Sequence, residues 1–216
     1  MIRNITFLSY LALILLLWSC HSQGNTPQSS NAEGQNKRTT TEADLSKSLT
    51  PAELKYLKKG KEIALTTKKA LGKNLIGQLS SNGAIAALSF CNLKAFPITD
   101  SMKMALRADI SRKTDKPRNP GNRAQGEESD YIRAMKEQLS KGKQPSPVIK
   151  EVNGKMVGYY PIITNKMCLQ CHGSPVKDIK PGTLERIKEL YPQDKATGYS
   201  ANQLRGIWVI EMNKEE

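Results

Sequence analysis

The chain has 216 residues, with 33 Lys and Arg against 20 Asp and Glu, which gives a formal net charge of +13 at pH 7. The basic residues are spread along the chain and its start is an export signal, so we expect no nucleic-acid partner. A basic exterior suits an acidic redox partner protein or an anionic membrane surface, and it is also typical of an ordinary solvated surface.

Residues 1–20 are predicted to be a lipoprotein-type signal peptide. Arg3 supplies the positive start, and residues 5–18 are almost wholly apolar but shorter than the roughly 20 residues that a membrane-spanning helix needs. Leu17-Trp18-Ser19-Cys20 resembles a lipobox, with Trp18 where a small residue is usual. We therefore expect export to the periplasmic side of a bacterial membrane and a lipid anchor on Cys20. An ordinary signal peptide cut nearby and an uncleaved anchor are the alternatives.

Two further regions follow the leader. Residues 21–49 consist mainly of Ser, Gln, Asn, Gly, Thr and charged residues without an apolar period, and this composition predicts a flexible polar tether. Residues 50–216 fall within the usual size of one domain and are long enough to bury a core. We therefore predict a single folded domain over 50–216.

The helices of this domain are predicted from capping residues and apolar spacing. Thr50-Pro51-Ala52-Glu53 is a capping box with proline at the first helical position, so a long N-terminal helix is expected from there to Gly72. Further helices are predicted at 74–79, 83–93, 127–139 and 183–190. Another is predicted after Pro97, with Thr99 or Asp100 as its cap and with Met102, Leu106 and Ile110 on its apolar side.

Strands are predicted only in the C-terminal half. Residues 148–152 and 155–163 flank Asn153-Gly154, a dipeptide that tight primed turns prefer, and so predict a β-hairpin. Residues 206–212 contain Ile, Trp and Val in succession and predict a final strand. Helices first and a small antiparallel sheet afterwards indicate an α+β domain.

The segment Cys168-Leu169-Gln170-Cys171-His172 carries the most chemical information in the chain. Cys-x-x-Cys-His is the attachment signature of a c-type haem. In this interpretation Cys168 and Cys171 form thioether links to the porphyrin, and His172 is the proximal iron ligand. We therefore predict one covalent haem c as the cofactor.

Two other interpretations of the cysteine pair are open. A thioredoxin-like redox motif would begin a helix after a strand, whereas Gly173, Ser174 and Pro175 follow here at once. A structural zinc site would need two more ligands, usually a second Cys or His pair further along, and no such pair follows. Covalent haem is the interpretation that the spacing favours.

The second axial ligand of the iron is narrowed by the histidine count. The chain has two histidines, and His21 lies beside the predicted lipid anchor, so a bis-histidine haem is not expected. Cys91 is a candidate, because it is the cysteine left over in an exported protein. The alternative is that Cys91 is a buried cysteine that acts as a small apolar residue on a helix. The competing methionines are Met102, Met104, Met135, Met156 and Met167.

Several segments together resemble the PAS-like c-type haem family. These are the helix with Cys91, residues 112–122, Tyr159-Tyr160-Pro161, the haem motif, Thr197-Gly198-Tyr199 and Leu204-Arg205-Gly206. The resemblance implies a PAS-like fold, with an antiparallel sheet flanked by helices, and histidine and cysteine as the axial ligands. Carried over to this chain, those ligands are His172 and Cys91.

The same resemblance suggests contacts for the haem propionates. Arg118-Asn119-Pro120 matches an Arg-Asn-Pro segment of the family, and arginine binds carboxylates in a bidentate fork. We therefore predict Arg118, Asn119 and Arg112 as possible propionate contacts. The alternative for Arg118 is an exposed side chain on a loop held by two prolines.

These predictions favour electron carriage over catalysis. A thiolate opposite His172 would favour ferric iron and lower the reduction potential. We therefore predict a monohaem c-type cytochrome that carries electrons at low potential to a redox partner protein of unknown identity. A haem-based redox or gas sensor acting through a partner is the alternative. We do not predict an enzyme, although a labile sixth ligand would permit peroxidase-like or reductase activity.

Overall fold

A computed structural model describes residues 48–215. The predicted signal peptide, the lipidation at Cys20 and nearly all of the predicted tether lie outside these residues. Within them, Leu49 at the end of the predicted tether already packs against the core. No helix of the described part is long and apolar enough to cross a membrane.

Helix α1 (Pro51–Leu106) is the long N-terminal helix that the capping box predicts. Thr50 accepts a hydrogen bond from the Glu53 amide, and the Glu53 carboxylate accepts from the Thr50 amide at 2.8 Å. The helix does not end at Gly72 as predicted, and the helices predicted separately at 74–79 and 83–93 are parts of it. It is interrupted at Gly83, whose φ of 77° is a conformation that glycine adopts without strain.

The region after Pro97 differs from its prediction in two ways. Pro97 lies inside α1, and no new helix begins after it. The Thr99 hydroxyl does not cap a helix but donates to the Ala95 carbonyl one turn earlier, at 2.7 Å. The helix then ends at Arg107, which adopts the left-handed conformation. Ile110 therefore lies in a strand and not on a helix, because pairing with a distant strand overrides its local helical spacing.

The remaining elements follow α1 in chain order. They are β1 (Asp109–Lys113), a 3₁₀ turn (Pro120–Asn122), α2 (Gly126–Ser140), β2 (Val148–Val152), β3 (Lys155–Ile163), a 3₁₀ turn (Lys166–Cys168), α3 (Leu169–His172), α4 (Pro181–Leu190) and β4 (Leu204–Asn213). Of these, α2, β2, β3, α4 and β4 agree with prediction in type and nearly in extent, whereas β1, the two 3₁₀ turns and α3 were not predicted. Asn153 and Gly154 both have positive φ, as the predicted hairpin turn requires.

The four strands form one antiparallel sheet in the order β1-β4-β3-β2. One face packs against α1 through a cluster that includes Tyr160, Trp208 and Ile210. The other face packs against α2 through a cluster that includes Val157, Val209 and Ile132. The sheet is therefore flanked by helices, and the predicted α+β class is confirmed.

Two glycines of α1 should respond in opposite directions to substitution by alanine. A Cβ on Gly60 would lie 2.1 Å from the hydroxyl oxygen of Tyr160, which donates to the Leu57 carbonyl, whereas a Cβ on Gly72 meets nothing within 4 Å. We expect Gly60→Ala to lower the free energy of unfolding by about 1–3 kcal/mol through overpacking. Gly72→Ala should raise it by about 0.5–1 kcal/mol. Urea unfolding of both variants checks the pair, and equal effects would contradict the packing described.

Candidate haem site

The cysteine motif lies on two short consecutive helices that follow β3. Asn165 begins the first, where its side-chain oxygen accepts from the Cys168 amide at 3.2 Å and lies 3.3 Å from the Cys168 sulfur. Cys168 and Cys171 are half-buried free thiols. Because they are three residues apart on a helical backbone, their side chains share one side of it. The spacing therefore leaves both sulfurs accessible to one ligand.

The imidazole of His172 is held in one tautomer. Its Nδ1 lies 2.8 Å from the carbonyl oxygen of Ala196, and a carbonyl only accepts, so Nδ1 carries the hydrogen. Burial, aided by the positive charges of Arg118 and Arg205, lowers the pKa of His172 well below its usual range. The ring is therefore neutral, and Nε2 keeps its lone pair. Metal-binding histidines in proteins have this arrangement, so the donors at the motif fit an iron porphyrin.

The segment between α4 and β4 closes against the haem motif. The Tyr199 amide donates to the His172 carbonyl at 2.9 Å, and the Gly198 amide donates to the Gly173 carbonyl at 2.8 Å. The Lys195 amide donates to the Pro117 carbonyl at 2.9 Å, which links the same segment to the loop after β1. Three separate parts of the chain thus hold the backbone around His172.

An ion pair between Arg118 and Asp194 joins these parts. Arg118 donates through Nε and Nη2 to the two carboxylate oxygens of Asp194, at 3.1 and 3.2 Å, and also through Nη2 to the Cys171 carbonyl at 2.6 Å. Asp194 in turn accepts from the Ala196 amide at 2.9 Å. The pair therefore positions both the motif and the residue that receives the hydrogen bond of His172.

Loss of this pair should destabilise the fold. The Arg118 and Asp194 side chains are 11% and 8% exposed, so Asp194→Ala leaves a buried guanidinium without its carboxylate. We expect the free energy of unfolding to fall by about 3–5 kcal/mol. Asp130→Ala is the matched control, because Asp130 pairs with Arg133 at the surface and should cost below about 1 kcal/mol. Urea unfolding that gives the same loss for both variants would contradict the positioning role.

Cys91 reaches the motif from α1 across a large separation in sequence. Leu88, one turn before it, packs in a buried cluster with Ile187 of α4, and Cys171 borders that cluster. Burial raises the pKa of the Cys91 thiol, while the charges of Arg112 and Arg118 act in the opposite direction. Burial also raises the pKa of the Cys171 thiol, and the charge of Cys91 raises it further. Cys91 therefore lies within electrostatic reach of Cys171, and its role as an iron ligand stays a prediction.

The predicted propionate contacts have different surroundings. The Arg112 guanidinium lies 5.7 Å from the centroid of the Trp208 ring and is half-buried. Arg118 is held by Asp194, as described. The Asn119 side chain accepts from the Gly121 amide at 2.9 Å and caps the following 3₁₀ turn. A propionate contact by any of the three stays a prediction.

Sequence reasoning missed the roles of Asp194, Arg205 and Tyr199. Asp194 accepts a hydrogen bond from the amide of Ala196, two residues later, which is a local turn that aspartate favours. Its ion-pair partner, Arg118, is distant in the chain and could not be found from local sequence. Arg205 and Tyr199 stack at 5.4 Å beside His172. In residues 48–215, no three His, Cys, Asp or Glu side chains are grouped in a way that could hold a metal ion.

Comparisons with known proteins agree with this architecture. A family model described as Tll0287-like matches residues 28–213, which is most of the chain. The solved structure described as that of the cyanobacterial heme-protein Tll0287 matches with a TM-score of 0.55 and 17% sequence identity, over 78% of this chain and 99% of the other. No curated protein matches. These matches confirm the family resemblance that the sequence predicts, together with the PAS-like fold.

Proposed function

The chain belongs to the Tll0287-like family, and from this premise we propose that it is an exported monohaem c-type cytochrome that carries electrons at low potential. A bound haem supplies an iron centre that accepts and returns one electron. The solved structure that it resembles is that of a heme-protein. Cys168 and Cys171 would hold the porphyrin through thioether links, and His172 would bind the iron through Nε2.

The tautomer of His172 is the observation that carries this proposal. Its Nδ1 is committed to the Ala196 carbonyl at 2.8 Å, which leaves Nε2 as the free nitrogen directly after two free thiols. Burial keeps the ring neutral, which is the form that binds iron. Thiol–disulfide exchange by a thioredoxin-like cysteine pair does not require a neutral histidine whose Nε2 is free to bind a metal.

Cys91 supports the low potential. Its thiol is neutral in the surroundings described, because burial raises its pKa, and a metal that binds it displaces the proton. A thiolate on the iron favours the ferric state and so lowers the potential. The nearby guanidinium groups act in the opposite direction, since positive charge disfavours the ferric state.

Electron transfer is the function that two protein ligands on the iron would favour. With His172 and Cys91 as ligands, a substrate would have to displace one of them to reach the iron. No distal histidine faces the site among the described residues, since His172 is their single histidine. We therefore do not propose an enzymatic activity.

The proposed location and partner rest on features of the sequence. The leader and Cys20 support export and a lipid anchor on the periplasmic side of a bacterial membrane. An anchored monohaem protein exchanges electrons with a protein at the same surface. The excess of basic residues favours an acidic redox partner.

The alternative is a haem-based sensor, which the PAS-like fold supports. Carbon monoxide distinguishes the carrier from a gas sensor, because a sensor of gases must allow a gas to bind the iron. For a carrier we expect the spectrum of the reduced protein to stay unchanged under carbon monoxide and reduction by a small donor to be rapid. Rapid formation of a carbon monoxide complex would favour the sensor.

A further inference from the structure

Three guanidinium groups gather around the haem motif, from Arg112, Arg118 and Arg205. The charges of Arg118 and Arg205 both act on His172, and those of Arg112 and Arg118 both act on Cys91. Among residues 48–215, a single carboxylate, that of Asp194, forms an ion pair with any of the three. The other two guanidinium groups have no carboxylate partner within these residues. Because a half-buried positive charge without a counter-charge is costly, we expect an anion to bind beside them.

A comparison of Arg118 with Arg205 identifies an edge of Arg205 that could bind a carboxylate. In Arg118, the edge formed by Nε and Nη2 binds both oxygens of Asp194. In Arg205, Nη1 donates to the Thr114 hydroxyl at 3.1 Å and to the Lys116 carbonyl at 3.2 Å, whereas Nε is buried without any partner. The edge that holds a carboxylate on Arg118 is therefore unused on Arg205 within the described chain.

The Tyr199 hydroxyl is a second unsatisfied donor at the same place. Tyr199 is 4% exposed, and its hydroxyl lies close enough to the guanidinium of Arg205 to raise the pKa of that group, although within the described residues neither the hydroxyl nor Arg205 Nε has a partner in regular hydrogen-bond geometry. The ring lies between the Lys116 ammonium at 4.7 Å and the Arg205 guanidinium at 5.4 Å, and it meets His172 edge to face at 6.4 Å. A carboxylate next to Arg205 would accept from both unsatisfied donors, since each of its oxygens has lone pairs to offer.

Arg112 is the other guanidinium without a counter-charge. It lies over Trp208, and in the described part of the chain its side chain forms no ion pair and no hydrogen bond. Burial lowers its pKa, and the positive charge of Arg205 acts in the same direction. An anion at this position would relieve the repulsion between the two groups.

We propose that Arg205, with the Tyr199 hydroxyl, binds one haem propionate and that Arg112 binds the other, while Arg118 is reserved for Asp194. This inference rests on the proposed function, because the two carboxylates arrive with the haem. Three guanidinium groups then face three carboxylates: those of Asp194 and of the two propionates. The assignment moves the main propionate contact from the Arg-Asn-Pro segment to the start of β4.

Resonance Raman spectra of the holoprotein test the assignment, since the propionate bending modes respond to hydrogen bonding. We expect Arg205→Gln and Tyr199→Phe to shift the same bending mode, and Arg112→Gln to shift the other. Tyr199→Phe removes a single hydroxyl and no charge, so it keeps the test valid if Arg205→Gln does not fold. Arg133→Gln is the control, because it removes the same charge from an exposed surface pair.

The reduction potential gives an independent readout. Removal of a positive charge next to the haem favours the ferric state, so the midpoint potentials of Arg112→Gln and Arg205→Gln should fall further than that of Arg133→Gln. Propionate modes that coincide with wild type in both Tyr199→Phe and Arg205→Gln would overturn the assignment. A spectrum in pyridine, recorded for each protein, shows whether haem c is attached. If haem c is absent, the proposed function fails. If haem c is present and the propionate modes are unchanged, only the propionate contacts are rejected.

Discussion

A variant in which Cys168 and Cys171 are both replaced by alanine is expected to carry no covalent haem. In the proposed function the two half-buried sulfurs are the attachment points, and without either of them the iron would be held by axial ligands alone. Denaturing gel electrophoresis with a haem stain measures this, on protein exported through a cytochrome c maturation pathway. The expected loss of stain is complete.

Cys91→Ala is the matched control for that experiment, since it removes a half-buried thiol outside the motif and should leave the stain intact. A stained band from the double variant would contradict the attachment sites. Loss of stain from the Cys91 variant alone would show that attachment depends on a different pair of cysteines.

Replacement of Cys91 by alanine is expected to raise the reduction potential while the haem stays attached. Loss of a thiolate ligand removes electron density from the iron and favours the ferrous state. Axial ligands tune haem potentials over a range of roughly 0.8 V, and we expect a rise on the order of 0.1 V here. Potentiometric titration with optical detection measures the rise, and the visible spectrum of the ferric protein should change with it.

Met104→Ala provides the control on the same helix, because Met104 is 76% exposed and should not alter the iron. A Cys91→Ala protein whose spectrum and potential match those of wild type would eliminate the thiolate. The remaining methionines of the domain would then become the candidates for the second axial ligand.

Local features of the fold were predictable because their causes lie within a few residues. The capping box at Thr50 and Glu53 satisfies its own hydrogen bonds, so the start of α1 is independent of the rest of the chain. The Asn153-Gly154 turn likewise determines the register of its own hairpin. The haem motif was recognisable for the same reason, since all its residues are adjacent.

Features that depend on distant contacts were not predictable in the same way. Ile110 has helical spacing with Met102 and Leu106, yet it pairs with Ile210 in the sheet, where its side chain is 1% exposed. Cys91 was assigned through the family resemblance and not through spacing, because the fold alone brings it to the motif. The Arg118 and Asp194 pair depends in the same way on two loops that meet only in the folded chain.

Mass spectrometry of the intact wild-type protein tests the central claim most directly. Matured and exported protein is unfolded in acidified acetone, which extracts any haem that is not covalently bound. We expect the colour to stay with the polypeptide and the chain mass to exceed that of its lipidated sequence by one haem. A colourless polypeptide at the mass of the unmodified cysteines, with the pigment left in the acetone, would contradict the account.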